Sequence, residues 1–72
     1  MEKEGKKLIE KALQNQRPNE KYYKALSRTV SEDKTGKEGY SLYLELIREV
    51  RENARNNDIS IEDSAKEIIG KK

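Results

Sequence analysis

Residues 40–57, YSLYLELIREVRENARNN, carry apolar side chains at the three- and four-residue steps of an α-helix. They carry more of them than a single buried face needs. A chain with such a segment must either supply neighbours that cover the surplus or leave part of it in water. At about 100° per residue, the segment divides into three arcs. Tyr40, Tyr43, Leu46, Ile47, Val50 and Ala54 form an expected core face. Arg48, Arg51 and Arg55 run along one flank, and Glu45, Glu49 and Glu52 along the other. Leu44 falls on the arginine side and Leu42 on the glutamate side, both outside the core arc. Glu–Arg neighbours three or four apart are expected to add a few tenths of a kcal/mol each. A competing reading takes the alternation of Tyr40, Leu42, Leu44 and Leu46 as a short strand after a turn. Ile47, Val50 and Ala54 continue in helical period, and Leu, Glu and Arg favour helix, so the helix is preferred.

Three shorter segments supply the neighbours. Over 3–16, Leu8, Ile9, Ala12 and Leu13 share a face. Glu2 and Glu4 at its start and Arg17 at its end suit the helix dipole, and Pro18 stops it. Over 19–30, Tyr22, Leu26 and Val30 form a stripe flanked by Tyr23 and Thr29, with Asn19 as the expected N-cap. Asn56 and Asn57 suit a helix end, and NDIS gives a tight turn. Ser60 then caps a helix over 61–69, in which Ile61, Ala65 and Ile68 share a face. Gly70 ends it, with Lys71 and Lys72 trailing. Residues 31–39, SEDKTGKEG, have two glycines, mixed charges and no large apolar side chain, and are expected to be a flexible charged loop. The expected fold is therefore all-α: one small domain over 1–72, an irregular bundle of three to four short helices at approximately 3–16, 19–30, 40–56 and 61–69.

Composition limits what such a bundle can do. The chain has 72 residues, 42% charged and 32% hydrophobic, with neither Cys nor His. Its core is small, and no disulfide or Cys/His zinc site reinforces it, so modest stability or support from a partner is expected. The missing His and Cys remove the commonest general base and the thiol nucleophile. Ser27, Ser31, Ser41, Ser60 and Ser64 lack an activating constellation. The pairs Glu32/Asp33, Glu45/Glu49 and Glu62/Asp63 would need a pocket that separates their pKa values before they could act as acid and base. TGKEG lacks the first glycine of a phosphate-binding loop and has Glu38 where Ser or Thr belongs. Read as a calcium loop from Asp33, the chain places Thr35 and Lys37 at ligand positions and Leu44 at the twelfth. The segment NNDISIEDSAKEII has the turn-then-helix outline of a DNA-binding helix-turn-helix. It departs from that motif at Asp58, Ser64, Glu62 and Asp63. No cofactor, metal or small-molecule substrate is expected.

What remains is surface. Tyrosine suits a place with one apolar and one wet side, and all four aromatics are Tyr. Tyr22 and Tyr23 could meet Tyr40 and Tyr43 across the bundle edge. The leading expectation is a non-enzymatic interaction module, a regulator or adaptor that binds another protein or itself through 40–57. Its expected contact residues are Tyr40, Tyr43, Leu44, Arg48, Arg51 and Arg55. The alternative uses charge: residues 1–30 hold eight Lys/Arg against four Glu, whereas 31–72 hold eight against ten acidic residues. A basic face over 6–28, with Lys21, Lys24 and Arg28 aligned, could track the phosphates of a nucleic acid. No membrane role is expected: the MEKEGKK start has no apolar region after it, and no run approaches the roughly 20 apolar residues of a span. A cytoplasmic location follows as the default.

Overall fold

The computed structural model describes residues 3–70; the expected roles of Glu2, Lys71 and Lys72 lie outside them. Four helices appear in chain order: α1 (Lys3–Asn15), α2 (Tyr22–Asp33), α3 (Gly36–Asn57) and α4 (Ile61–Gly70). The fold is all-α, with no strand among the described residues, and Tyr40–Leu46 are helical throughout. Each helix packs on the next, and α4 closes back on α1, so the four form a ring around one core. Leu8, Ile9 and Ala12 enter it from α1, Tyr22, Ala25, Leu26 and Val30 from α2, Leu46, Ile47 and Val50 from α3, and Ala65 and Ile68 from α4. No helix among the described residues is long and apolar enough to cross a membrane.

The largest departure from expectation lies at 31–39, which is not a loop. α2 runs to Asp33 and α3 starts at Gly36, leaving two linking residues. Lys34 leaves the helix in extended backbone while its N–H donates to the Val30 carbonyl at 2.8 Å. Gly36 then takes φ 69°, a left-handed value that glycine adopts at little cost. Gly39 is buried, and a Cβ there would collide with the Lys34 carbonyl. The two glycines that suggested flexibility serve a tight reversal and a close backbone approach instead. The charges around them, Glu32, Asp33, Lys37 and Glu38, are exposed and fit helix ends as readily as a loop. Leu42, near the start of α3, is half-buried and packs against the core.

The other junctions differ less. Asn19 is not an N-cap: residues 17–20 form a turn, and α2 starts two residues later with Lys21 in the cap position. In that turn, Glu20 N–H donates to the Arg17 carbonyl at 3.0 Å, and Gln16 Nε2 donates to the Glu20 carbonyl at 2.8 Å. α3 ends in a left-handed residue, Asp58 (φ 53°), where glycine is commonest. Ile59 N–H reaches the Ala54 carbonyl at 3.0 Å and Asp58 N–H the Arg55 carbonyl at 3.4 Å, the paired bonds of a Schellman turn. Ser60 caps α4 as expected, its Oγ accepting from Asp63 N–H at 3.0 Å. Ser64 is fully buried, donating to the Val50 carbonyl at 2.6 Å and accepting from Asn53 Nδ2 at 2.9 Å. A residue too polar for a helix-turn-helix anchor thus locks α4 onto α3 by hydrogen bonds.

Candidate interaction surface along the third helix

At 22 residues, α3 is about 33 Å long at 1.5 Å per residue, nearly twice the length of α2. Shorter neighbours cannot cover all of it. Leu46, Ile47, Val50 and Ala54 are buried, and they mark the inward direction of the helix. Measured from there at about 100° per residue, Tyr40, Arg51, Leu44, Arg55 and Arg48 fall in sequence over an arc of roughly 80° on one side. All five are exposed. Glu52, Glu45 and Glu49 continue the rotation beyond them.

Tyr40 is therefore not a core residue. It is 64% exposed, because it lies at the edge of the inward arc, where no neighbouring helix covers it. Tyr43 is half-buried, with its ring centroid 6.5 Å from that of Tyr40 and tilted by 34°. Burial pushes the Tyr43 hydroxyl pKa up; Arg51 opposes this, and Tyr23 and Tyr40 add to it. Tyr22 goes elsewhere: its ring is in the core, and its hydroxyl donates to the Ile9 carbonyl at 2.9 Å. Of the four tyrosines expected to meet at the bundle edge, the rings in contact are Tyr40 and Tyr43, both on α3.

Leu44 is 44% exposed and lines a hollow of about 360 Å³ with Ile47, Arg48, Arg51, Glu52 and Arg55. Four of the six residues expected from sequence thus line one concavity, and Tyr40 and Tyr43 lie beside it. A second hollow, of about 300 Å³, is lined by Lys21, Tyr22, Tyr23, Ile47, Arg51, Ile61 and Glu62. Ile47 and Arg51 belong to both, so the two adjoin on α3 and are together termed the trough. The large hydrophobic side chains exposed among the described residues are Tyr23, Tyr40 and Leu44, and all stand in or next to it.

The expected Glu–Arg pairing along α3 does not occur. Among the described residues, no carboxylate lies within ion-pair distance of Arg48, Arg51 or Arg55. Ion pairs instead tie α1 to the residue that follows α2, and the turn after α1 to α2 itself. Lys34 Nζ meets Glu4 at 3.3 Å, and Arg28 Nη2 meets Glu20 Oε1 at 2.9 Å. Arg28 also donates through Nε to Glu20 Oε2 at 3.3 Å and through Nη2 to the Asn15 carbonyl at 2.9 Å. The bonded guanidinium holds the Glu20 carboxyl below its usual pKa. Of the basic stripe expected on α2, Arg28 is thus engaged within the bundle, Lys24 is exposed, and Lys21 lines the trough beside Arg51.

Sequence reasoning did not assign Lys21 or Ile61 to this surface. Their place depends on the starts of α2 and α4 meeting the middle of α3, a tertiary arrangement without a signal in any one segment. No group of three or more carboxylates among the described residues could hold a metal ion. No family model, curated protein or solved structure matches the chain.

Proposed function

We propose that this chain is a non-enzymatic helical interaction module, a regulator or adaptor that binds another protein, or a second copy of itself, through α3. The observation that carries this reading is the coincidence, in one hollow, of exposed Leu44 with three arginines that lack a carboxylate partner among the described residues. Large apolar and arginine side chains grouped at a concavity are the chemistry of binding hot spots. Exposed apolar surface rimmed by charge is costly to leave in water and is commonly covered by association. Neither His nor Cys is available for catalysis at this surface.

The test is affinity capture from native lysate, in nuclease-treated and untreated arms, with wild-type chain and Leu44→Glu as baits. The substitution is at an exposed position, so circular dichroism should show unchanged helix content and Tm. A protein retained by wild type in both arms and lost by Leu44→Glu is the expected result. Equal retention by both baits would remove α3 as the binding surface. Retention that disappears with nuclease, and weakens when Lys21 and Lys24 become glutamine, would move the function to nucleic-acid binding by the basic face.

A further inference from the structure

We propose, resting on the reading just given, that the trough receives an acidic amphipathic helix of a partner protein, its apolar stripe on Leu44 and Tyr23 and its carboxylates against Arg48, Arg51 and Arg55. Three observations select this occupant.

The first is length. Leu44 to Arg55 covers twelve residues of one helix, a rise of about 17 Å, or roughly three helical turns. The two hollows share Ile47 and Arg51 in their linings and are open to solvent, so they offer an exposed face instead of an enclosed site. A helix laid in such a groove presents anchors at i, i+3 or i+4, and i+7, which match this span.

The second is charge. The trough carries Arg48, Arg51, Arg55 and Lys21 against Glu52 and Glu62. None of the three arginines has a carboxylate within ion-pair distance among the described residues, although Glu52 lines the same hollow. Guanidinium groups are planar forks matched to carboxylates, and they lose little on partial dehydration when such a partner arrives.

The third is symmetry, which argues against a second copy. A two-fold dimer buries the same patch on both subunits. Centred here, it would bring together two patches that each carry Lys21, Arg48, Arg51 and Arg55 against Glu52 and Glu62, a surplus of positive charge on both sides. Like charges so placed oppose association.

The experiment is selection from a phage-displayed library of helix-forming peptides of about 16 residues, long enough to fill the trough. Wild-type chain is the bait, with Arg51→Glu as the counter-bait. Enriched peptides are then synthesised, measured by fluorescence anisotropy and mapped by amide chemical shifts. The expected sequences carry Glu or Asp flanking leucines at i, i+3 or i+4, and i+7, and shift Tyr23, Leu44, Ile47 and Arg51. Their Kd should rise about tenfold for Arg51→Glu and severalfold for Arg55→Gln, and should rise with salt. Basic or uncharged peptides mapping to the trough would overturn the acidic occupant while leaving α3 as an interface. Peptides that map to the trough but enrich equally on both baits would overturn the acidic occupant alone; peptides mapping elsewhere would overturn both readings. Light scattering that shows a dimer abolished by Leu44→Glu would assign the trough to a second copy. A duplex oligonucleotide that shifts the same amides and displaces the peptides would assign it to nucleic acid. Either result overturns the proposal.

Discussion

Tyr22 shows how one side chain can pass for surface and act as core. Its neighbour Tyr23 is exposed, yet Tyr22 is 2% exposed, and its hydroxyl satisfies itself on the Ile9 carbonyl of α1. The four-residue steps to Leu26 and Val30 put Tyr22 on the apolar stripe, and it is the ring that turns inward; its bond to α1 depends on where α2 meets α1. Burial raises the pKa of the phenol, and Glu62 adds to the shift. The folded state therefore holds this proton at pH values where the unfolded chain, near the ordinary tyrosine value of about 10, releases it. The stability this contributes is complete below that value and is lost as pH rises above it. Tyr22→Phe should cost about 1 kcal/mol at neutral pH, the usual net worth of a buried hydrogen bond. The gap between wild type and variant should narrow as pH climbs past 10, because the variant has no proton to lose. Urea unfolding at pH 8 and at pH 10.5 measures both. A gap that stays constant would show that the hydroxyl is not held in its protonated form. Thr29 is a contrast: its Oγ1 is buried with no hydrogen-bond partner among the described residues, so the hydroxyl costs stability where Tyr22's contributes.

Among the helices, α2 has its charges reversed relative to its own dipole. Lys21 and Lys24 stand at the start, where the backbone already concentrates positive charge, and Glu32 and Asp33 stand at the end. Lys21 occupies the cap position in the right extended conformation (φ −73°, ψ 148°) but makes no capping hydrogen bond. α4, by contrast, has Ser60 as its cap and acidic residues in its first turn. A helix end that breaks the local rules where it lines a trough resembles other places where function is kept at the expense of stability. Lys21→Asp should supply a cap and reverse the charge conflict, adding about 1 kcal/mol and raising Tm by roughly 4–8 °C. The same change should weaken binding of an acidic helix. Thermal melts and peptide titration of one variant decide it, and a stabilised variant that binds more tightly would contradict the charge argument. The helices differed in how far their sequences announced them. α1, α3 and α4 could be read from period and terminators, since Pro18, Ser60 and the apolar spacing are local signals. The junction at 34–39 could not, because Gly39's role depends on a carbonyl five residues back. The start of α2 was also misread, because a good cap residue, Asn19, precedes a turn that the chain needs first.

The whole molecule depends on closure of the ring. Each helix has two neighbours, and none has a core face that one neighbour could cover. The fold class and most core residues were legible because helical period states which face is apolar. Tyr40 was placed wrongly because period gives a direction but not the length of the helix opposite. Leu44 and the arginine flank were placed correctly because they lie far enough round α3 that no arrangement of short neighbours reaches them. Ser64 decides how α4 joins. It bridges Val50 and Asn53 of α3 from a fully buried position, and Asn53 extends the link to Glu67 at 3.1 Å. Removing its hydroxyl leaves the backbone of both helices intact but takes away the bond that fixes their register. Ser64→Ala should cost about 1–2 kcal/mol, a fall in Tm of roughly 5–15 °C for a chain of this length. The ring also predicts the manner of the loss. Since α4 covers part of α1 as well as α3, it should not detach alone. Helix content followed by circular dichroism and core exposure followed by tyrosine fluorescence should still change together in the variant. An early, separate loss of α4's amide protection, with α1–α3 persisting, would show instead that three helices suffice for the core and that the fourth is an addition to it.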